Sequence, residues 1–234
     1  MISYHQQTLG SPNPLARFAH HSRLARARHL LATRTGVRRV LDYGCGSGEF
    51  LACLSGSAGL EAIGYEPFMQ ECAADGLPIH SSLEAVTALA PFDVITVLET
   101  VEHLSDEEML ALLRQADGLL APGGSLLFSA PIEIGPALLL NHLNRARRQR
   151  RWSGSLPIGQ LLAASILGIP PPRAMDIKTS HQGFDFRQAI RFLQDHFGPV
   201  LLAGYSPLPL GTWYGNSQVF FWLQRDPQRQ LSSC

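Results

Sequence analysis

The groups of this 234-residue sequence best suited to chemistry stand where apolar runs end. Val40 and Leu41 lead into Asp42, and glycines follow at 44, 46 and 48 before the apolar Phe50, Leu51 and Leu54. Without a Cβ at alternate positions the backbone adopts positive φ and lets a ligand lie against the main chain, while the helix that follows offers free N–H groups. Eighteen residues after Gly48, Glu66 closes a second apolar run, at the distance where an acid on a strand tip accepts hydrogen bonds from ribose hydroxyls. A helix-end charge ahead of Pro67 is the competing role for Glu66. A third run, FDVITVL, ends at Leu98 and passes into Glu99, Thr100, Glu102 and His103, and His181 opens SHQGFDF. An imidazole titrates near working pH, so both histidines are candidates to accept a proton. The competing roles are a packed structural histidine for His103 and a surface or helix-capping histidine for His181.

Positioning these groups takes an alternation of strands and helices. Leu15 to Thr33 carries apolar residues near helical spacing, with Arg17, Arg23, Arg26 and Arg28 on what reads as a solvated basic face. Strands are expected at Val40–Leu41, Leu60–Tyr65, Leu77–His80, Phe92–Leu98, Ser125–Ala130, Pro199–Tyr205 and Ser217–Leu223, the fourth apolar enough to be buried on both faces. Helices are expected after the glycine loop, over Met69–Ala74, from a capping box at Ser105 and Glu108 to Leu119–Leu120, and from Ser180–Phe186 through Leu193. Ala121-Pro122-Gly123-Gly124 reads as a turn, and Trp213 and Tyr214 as loop aromatics exposed enough to touch a substrate.

Composition narrows the classes. Nineteen basic and nineteen acidic residues give no net charge, so no global field draws the chain to nucleic acid. Cys45, Cys53, Cys72 and Cys234 lack metal spacing and read as free thiols of a reducing cytoplasm. Neither a signal-peptide order nor an apolar stretch of membrane-spanning length is seen, so a soluble, cytoplasmic chain is expected.

The glycine spacing departs from G-x-G-x-x-G, since Glu49 stands where the third glycine would be. The pattern D-x-G-x-G-x-G at 42–48 resembles motif I of the class I S-adenosylmethionine-dependent methyltransferases. FDVITVLETVEHL resembles that family's segment around strand four, and LLAPGGSLLFSAP its segment through strand five. The resemblance implies a Rossmann-like α/β domain over 1–234, with a seven-stranded, mostly parallel sheet in the order 3-2-1-4-5-7-6 and strand seven antiparallel. It divides into an arm and helix (1–36), a cofactor core (37–131), a helical insert after strand five (132–178) and the rest of the sheet (179–234). S-adenosyl-L-methionine is the implied cofactor, with Asp42, Gly44, Gly46, Gly48, Glu66, Ser82, Leu98 and Glu99 as its contacts. An acid near the loop suits the ammonium and sulfonium of that cofactor. Ser82-Leu83-Glu84 stands where the family often offers an acid to adenine. The helix before strand one can close over the cofactor in this family, which would bring His20 and His21 near the site.

The implied chemistry is methyl transfer to a small-molecule, sugar or lipid-linked acceptor. A sulfonium is already a good leaving group, so alignment and, for a hydroxyl, proton removal by His181 or His103 suffice, and a divalent metal is not required. A catalytically silent protein of the same fold and an NAD-dependent oxidoreductase are the alternatives. The insert holds apolar runs on either side of RARRQRR at 145–151, and residues 137–169 are expected to cover an anionic or membrane-associated acceptor. Nucleic acid ranks lower, because Trp152 is the lone aromatic beside the arginines.

Overall fold

The computed structural model describes residues 14–68, 76–139, 142, 156–178 and 180–226. Its elements in chain order are α1 (Pro14–Ala32), β1 (Arg39–Tyr43), α2 (Glu49–Leu54), β2 (Glu61–Tyr65), β3 (Ile79–His80), α3 (Leu83–Thr87) and β4 (Phe92–Leu98). A 3₁₀ turn (Val101–His103), α4 (Asp106–Leu119), β5 (Leu120–Pro131) and α5 (Ile158–Leu162) follow, α5 continuing as a π-helical turn over Ala163–Leu167. The last elements are α6 (Phe186–His196), β6 (Val200–Ser206) and β7 (Gln218–Gln224).

Seven strands form one sheet in the order β3-β2-β1-β4-β5-β7-β6. β1 to β5 pair in parallel, and β7 runs antiparallel to both β5 and β6. The two-residue period of the strands sorts side chains onto two covered faces. Leu41, Ile95, Leu126 and Phe221 face α4 and α6, sharing a core with Leu112, Leu113, Ala116 and Leu193. Their chain neighbours Val40, Val94, Leu127 and Phe220 face the other way and pack with Leu24, Ala27, Leu30 and Leu31 of α1 and with Phe50 and Leu54 of α2.

Several boundaries differ from expectation for local reasons. The Pro122-Gly123-Gly124 turn lies inside a long β5, whose pairing with β4 jumps from Phe92↔Leu120 to Val94↔Ser125. α6 starts at Phe186 rather than near Ser180, because the Asp185 side chain accepts the Arg187 N–H as its N-cap. α3 was not foreseen; Ser82 caps it. The Ser105–Glu108 capping box opens α4 as expected. The helix expected over Met69–Ala74 lies outside the described residues.

Two expectations are corrected. The basic side of α1 is not a solvated face throughout: Arg23 is buried and the Arg26 guanidinium donates to the Ala203 carbonyl of β6. Of the two loop aromatics, Tyr214 is exposed as expected, whereas Trp213 is half-buried, and a Cβ on Gly135 or Gly168 would meet its ring at 2.9 and 3.0 Å. The ring fills the seam between the start of the insert and the end of its π-helical turn.

Candidate active site

Strand order reverses between β1 and β4, and a crevice opens there at the carboxyl ends of the strands. It encloses about 620 Å³ and is lined by Asp42 to Gly46 from β1, Glu66 from the tip of β2, Leu98 to Thr100 from β4, and Arg23, Glu49, Phe68, His103 and Leu104. Gly44 donates its N–H to the Tyr65 carbonyl at 2.8 Å, and a Cβ there would meet Thr100 Oγ1 at 2.9 Å, so the loop lies tight against the turn after β4. At Gly46, with φ +53°, a Cβ would meet no protein atom within 4 Å. The space it would take belongs to the crevice. Gly48 serves packing rather than the crevice, as a Cβ there would strike Ile79 and Leu77 at 2.8 Å.

Three of the acids lining the crevice stand at strand ends. Asp42 is buried and accepts the Thr96 hydroxyl at 2.7 Å. Burial pushes its carboxyl up to about 7, with the Thr96 bond and Arg23 opposing and Glu66 adding to the rise. Glu66 accepts the Gly46 N–H at 3.0 Å and the Phe68 N–H at 3.2 Å, which holds its carboxylate over the glycine loop. Glu99 has φ +52°, a backbone position few non-glycine residues occupy. Its N–H bonds to Ser129, its carboxylate accepts the Ser129 hydroxyl at 3.0 Å and the Gln218 amide at 3.2 Å, and Arg23 lies 3.2 Å away. Ser82 caps α3 and is not among the residues lining the crevice.

α1 forms one wall. Arg23 can only donate, so the 2.7 Å contact to His20 Nδ1 makes that nitrogen an acceptor and places the proton of a neutral His20 on Nε2, 2.8 Å from Glu49. The chain Glu49–His20–Arg23–Glu99 thus ties the helix across the crevice from the first turn of α2 to the end of β4. His21 is exposed and points elsewhere. The family resemblance points to the two histidines, and the sequence places Arg23 with the arginines of an outer face.

Beyond Glu99 the 3₁₀ turn carries Glu102 and His103. Glu102 is fully buried, and neither of its carboxylate oxygens has a hydrogen-bond partner among the described residues. Burial, with the nearby charges of Glu99 and Glu133, pushes its carboxyl well above the usual range. His103 Nδ1 lies 2.9 Å from the Ile177 carbonyl, which can only accept, so in neutral His103 the proton sits on Nδ1 and Nε2 carries the lone pair. His181 Nε2 lies 3.1 Å from that lone pair. The two residues expected to handle a proton, 78 apart in sequence, are therefore brought into contact. The segment after the triple proline delivers His181: the Ala174 N–H bonds to Gln182, the Phe184 N–H bonds to His181, and the Arg173 guanidinium donates to the Glu102 carbonyl.

The crevice fits S-adenosylmethionine on its own terms. It offers a glycine whose missing Cβ leaves open space, acids at the ends of β1 and β2, and apolar side chains at Phe68, Leu98 and Leu104. A family profile described as Methyltransferase domain matches residues 15–164. No curated protein matches the chain. Among solved structures, a SAM dependent methyltransferase from Archaeoglobus fulgidus is 17% identical with a TM-score of 0.53, covering 86% of this chain and 92% of its own. The plantazolicin methyltransferase BpumL, solved with SAH, is 12% identical with a TM-score of 0.52, over 89% and 83%. The mitomycin 7-O-methyltransferase MmcR is 16% identical with a TM-score of 0.51, over 93% of this chain and 60% of that one. These likenesses speak for the fold, and the profile, spanning well over half of the sequence with its glycine loop and strand-four motif, speaks for the family. The chain belongs to the methyltransferase-domain family and is an S-adenosylmethionine-dependent methyltransferase of the Rossmann-like class.

Proposed function

We propose that the protein transfers the methyl group to an oxygen of a small-molecule, sugar or lipid-linked acceptor, with the His103–His181 pair receiving the acceptor's proton. The observation that carries this is the pair itself, two imidazole nitrogens 3.1 Å apart, with His103 lining the crevice. Bound cofactor supplies a methyl on a sulfonium. The chain's part is to hold the cofactor's amino-acid end near Asp42, its ribose at Glu66, and the acceptor where a proton can pass to an imidazole. A proton taken up there is shared across the histidine contact and faces Glu102 Oε1, 4.0 Å from His103 and 3.9 Å from His181.

The insert is proposed to cover the acceptor. Exposed Ile158, Leu162, Ile166, Leu167 and Ile169 support an apolar acceptor surface. The arginines at 145–151 lie outside the described residues, and no described helix is long and apolar enough to cross a membrane. Glu66 and Gly46 are the proposed cofactor contacts that a titration tests directly. Calorimetric titration with S-adenosylhomocysteine should give one site in the wild type and none in a folded Gly46→Val variant, whose branched side chain takes up ligand space. Unchanged affinity in that variant would remove the cofactor assignment. A panel of hydroxylated acceptors screened for radiolabelled methyl uptake then identifies the substrate, and wild-type turnover by His181→Ala would take the proton role away from the pair.

A further inference from the structure

Sulfonium chemistry by itself asks for no metal, yet three side chains beside the crevice have the makings of a metal site. We propose that Glu102, His103 and His181 bind a divalent first-row transition-metal cation such as Zn²⁺, Mn²⁺ or Co²⁺, leaving coordination positions open toward the acceptor.

The distances carry the proposal. His103 Nε2 and His181 Nε2 are 3.1 Å apart, and Glu102 Oε1 lies 4.0 and 3.9 Å from them. A point equidistant from the corners of that triangle falls about 2.1 Å from each, the length of a metal bond to imidazole nitrogen or carboxylate oxygen (about 2.0–2.2 Å). An ion would fit with little side-chain movement. The three residues are the described cluster of ligand-type side chains that meets such a separation.

A second observation is independent of those distances. The Glu102 carboxylate is wholly buried, and among the described residues neither of its oxygens has a hydrogen-bond partner on another residue, a costly arrangement for a polar group unless something is meant to meet it. A cation would meet it. The charge around the site is mixed: the carboxylates of Glu99 and Glu133 and the guanidiniums of Arg23 and Arg173 all lie near Glu102.

The shell behind the ligands agrees as well. A metal-bound histidine ordinarily gives its other N–H to a carbonyl or carboxylate, which fixes the tautomer. His103 does so already, with Nδ1 on the Ile177 carbonyl and the Nε2 lone pair aimed at the cluster. At His181 the proton between the two Nε2 atoms must leave, so uptake of the cation releases protons and tightens as pH rises. Two imidazoles with one carboxylate favour first-row transition ions over Mg²⁺ or Ca²⁺, which take oxygen ligands. Three protein ligands are fewer than such ions accept, and open positions are what a site acting on substrate needs. Under the methyl-transfer reading, on which this last consequence rests, an acceptor hydroxyl held there would give up its proton to solvent more readily, and with the ion bound the two imidazoles would hold it in place of receiving that proton.

The test uses full-length protein stripped with chelator and dialysed. Titration with Co²⁺, followed by its visible absorption, and with Zn²⁺, followed by calorimetry, should show one equivalent per chain. Glu102→Gln and His181→Ala should each weaken uptake at least tenfold, with folding checked by circular dichroism. His181 is more than a third exposed, so its variant guards against misfolding of the buried one. S-adenosylhomocysteine affinity is measured on the same samples. Failure of the wild type to take up one equivalent, or equal uptake by both folded variants, overturns the metal site whatever the cofactor does. Stoichiometric metal uptake without S-adenosylhomocysteine binding would uphold the site and overturn the methyl-transfer reading.

Discussion

Asp42 shows how one side chain trades stability against ligand binding. Its carboxyl titrates near 7 in the folded protein, against about 3.9 for a free aspartate, so the folded chain binds the extra proton. The unfolded chain loses its proton first as pH rises, and the ligand-free protein is therefore destabilised progressively from about pH 4 to pH 7, levelling off above. Cofactor binding is predicted to run the other way, because the ammonium and sulfonium proposed to lie near Asp42 are attracted to its ionised carboxylate. Affinity for S-adenosylmethionine should rise several-fold between pH 6 and pH 8. Asp42→Asn, which keeps an acceptor for the Thr96 hydroxyl, should flatten that profile, weaken binding at pH 8 and raise the melting temperature of the ligand-free protein at the same pH. A pH profile as steep in the variant as in the wild type would place the titrating group elsewhere.

Among the elements, α1 does more than cover the sheet. Arg23 is held between His20 and Glu99 in a buried pair, and removing one partner of such a pair costs about 3–5 kcal/mol. Glu99 keeps its bonds to Ser129 and Gln218, so Arg23→Ala should fall at the lower end, read from urea unfolding, with weaker cofactor binding beside it. Arg28→Ala, on the exposed side of the same helix, should stay within about 0.5 kcal/mol. Equal losses in the two variants would mean that Arg23 is solvated in the working protein. This contrast marks what the sequence makes legible. Apolar period located β4 residue for residue and the other strands within a few residues, because burial on two faces writes itself into consecutive side chains. The glycine loop was legible through its spacing, and Glu66 through its distance from it. Arg23, by contrast, looks like every other arginine of α1, and its burial depends on Glu99, which is 76 residues away. The orphaned carboxylate of Glu102 was hidden for a like reason: its isolation follows from what the 3₁₀ turn and the segment after the triple proline fail to offer it. His103 and His181 were each visible as candidates, but their contact required the loop at 170–184 to fold back over the end of β4.

At the scale of the whole molecule, α1 joins its neighbours β1 and α2 to the last strands of the sheet. Leu24, Ala27, Leu30 and Leu31 pack with Phe220 and Trp222 of β7, Arg26 bonds to Ala203 of β6, and the Arg34 guanidinium lies 4.1 Å above the Trp222 ring. Glu99, which Arg23 holds, is itself held by Gln218. The crevice wall that Glu99 forms is thereby tied to both α1 and β7. Native-state hydrogen exchange reads this directly: the amides of residues 24–31 should open together with those of β7 and with the same free energy. Exchange in α1 that is much faster than in β7 would show the helix to be a detachable flap rather than a clasp on the last strands of the sheet.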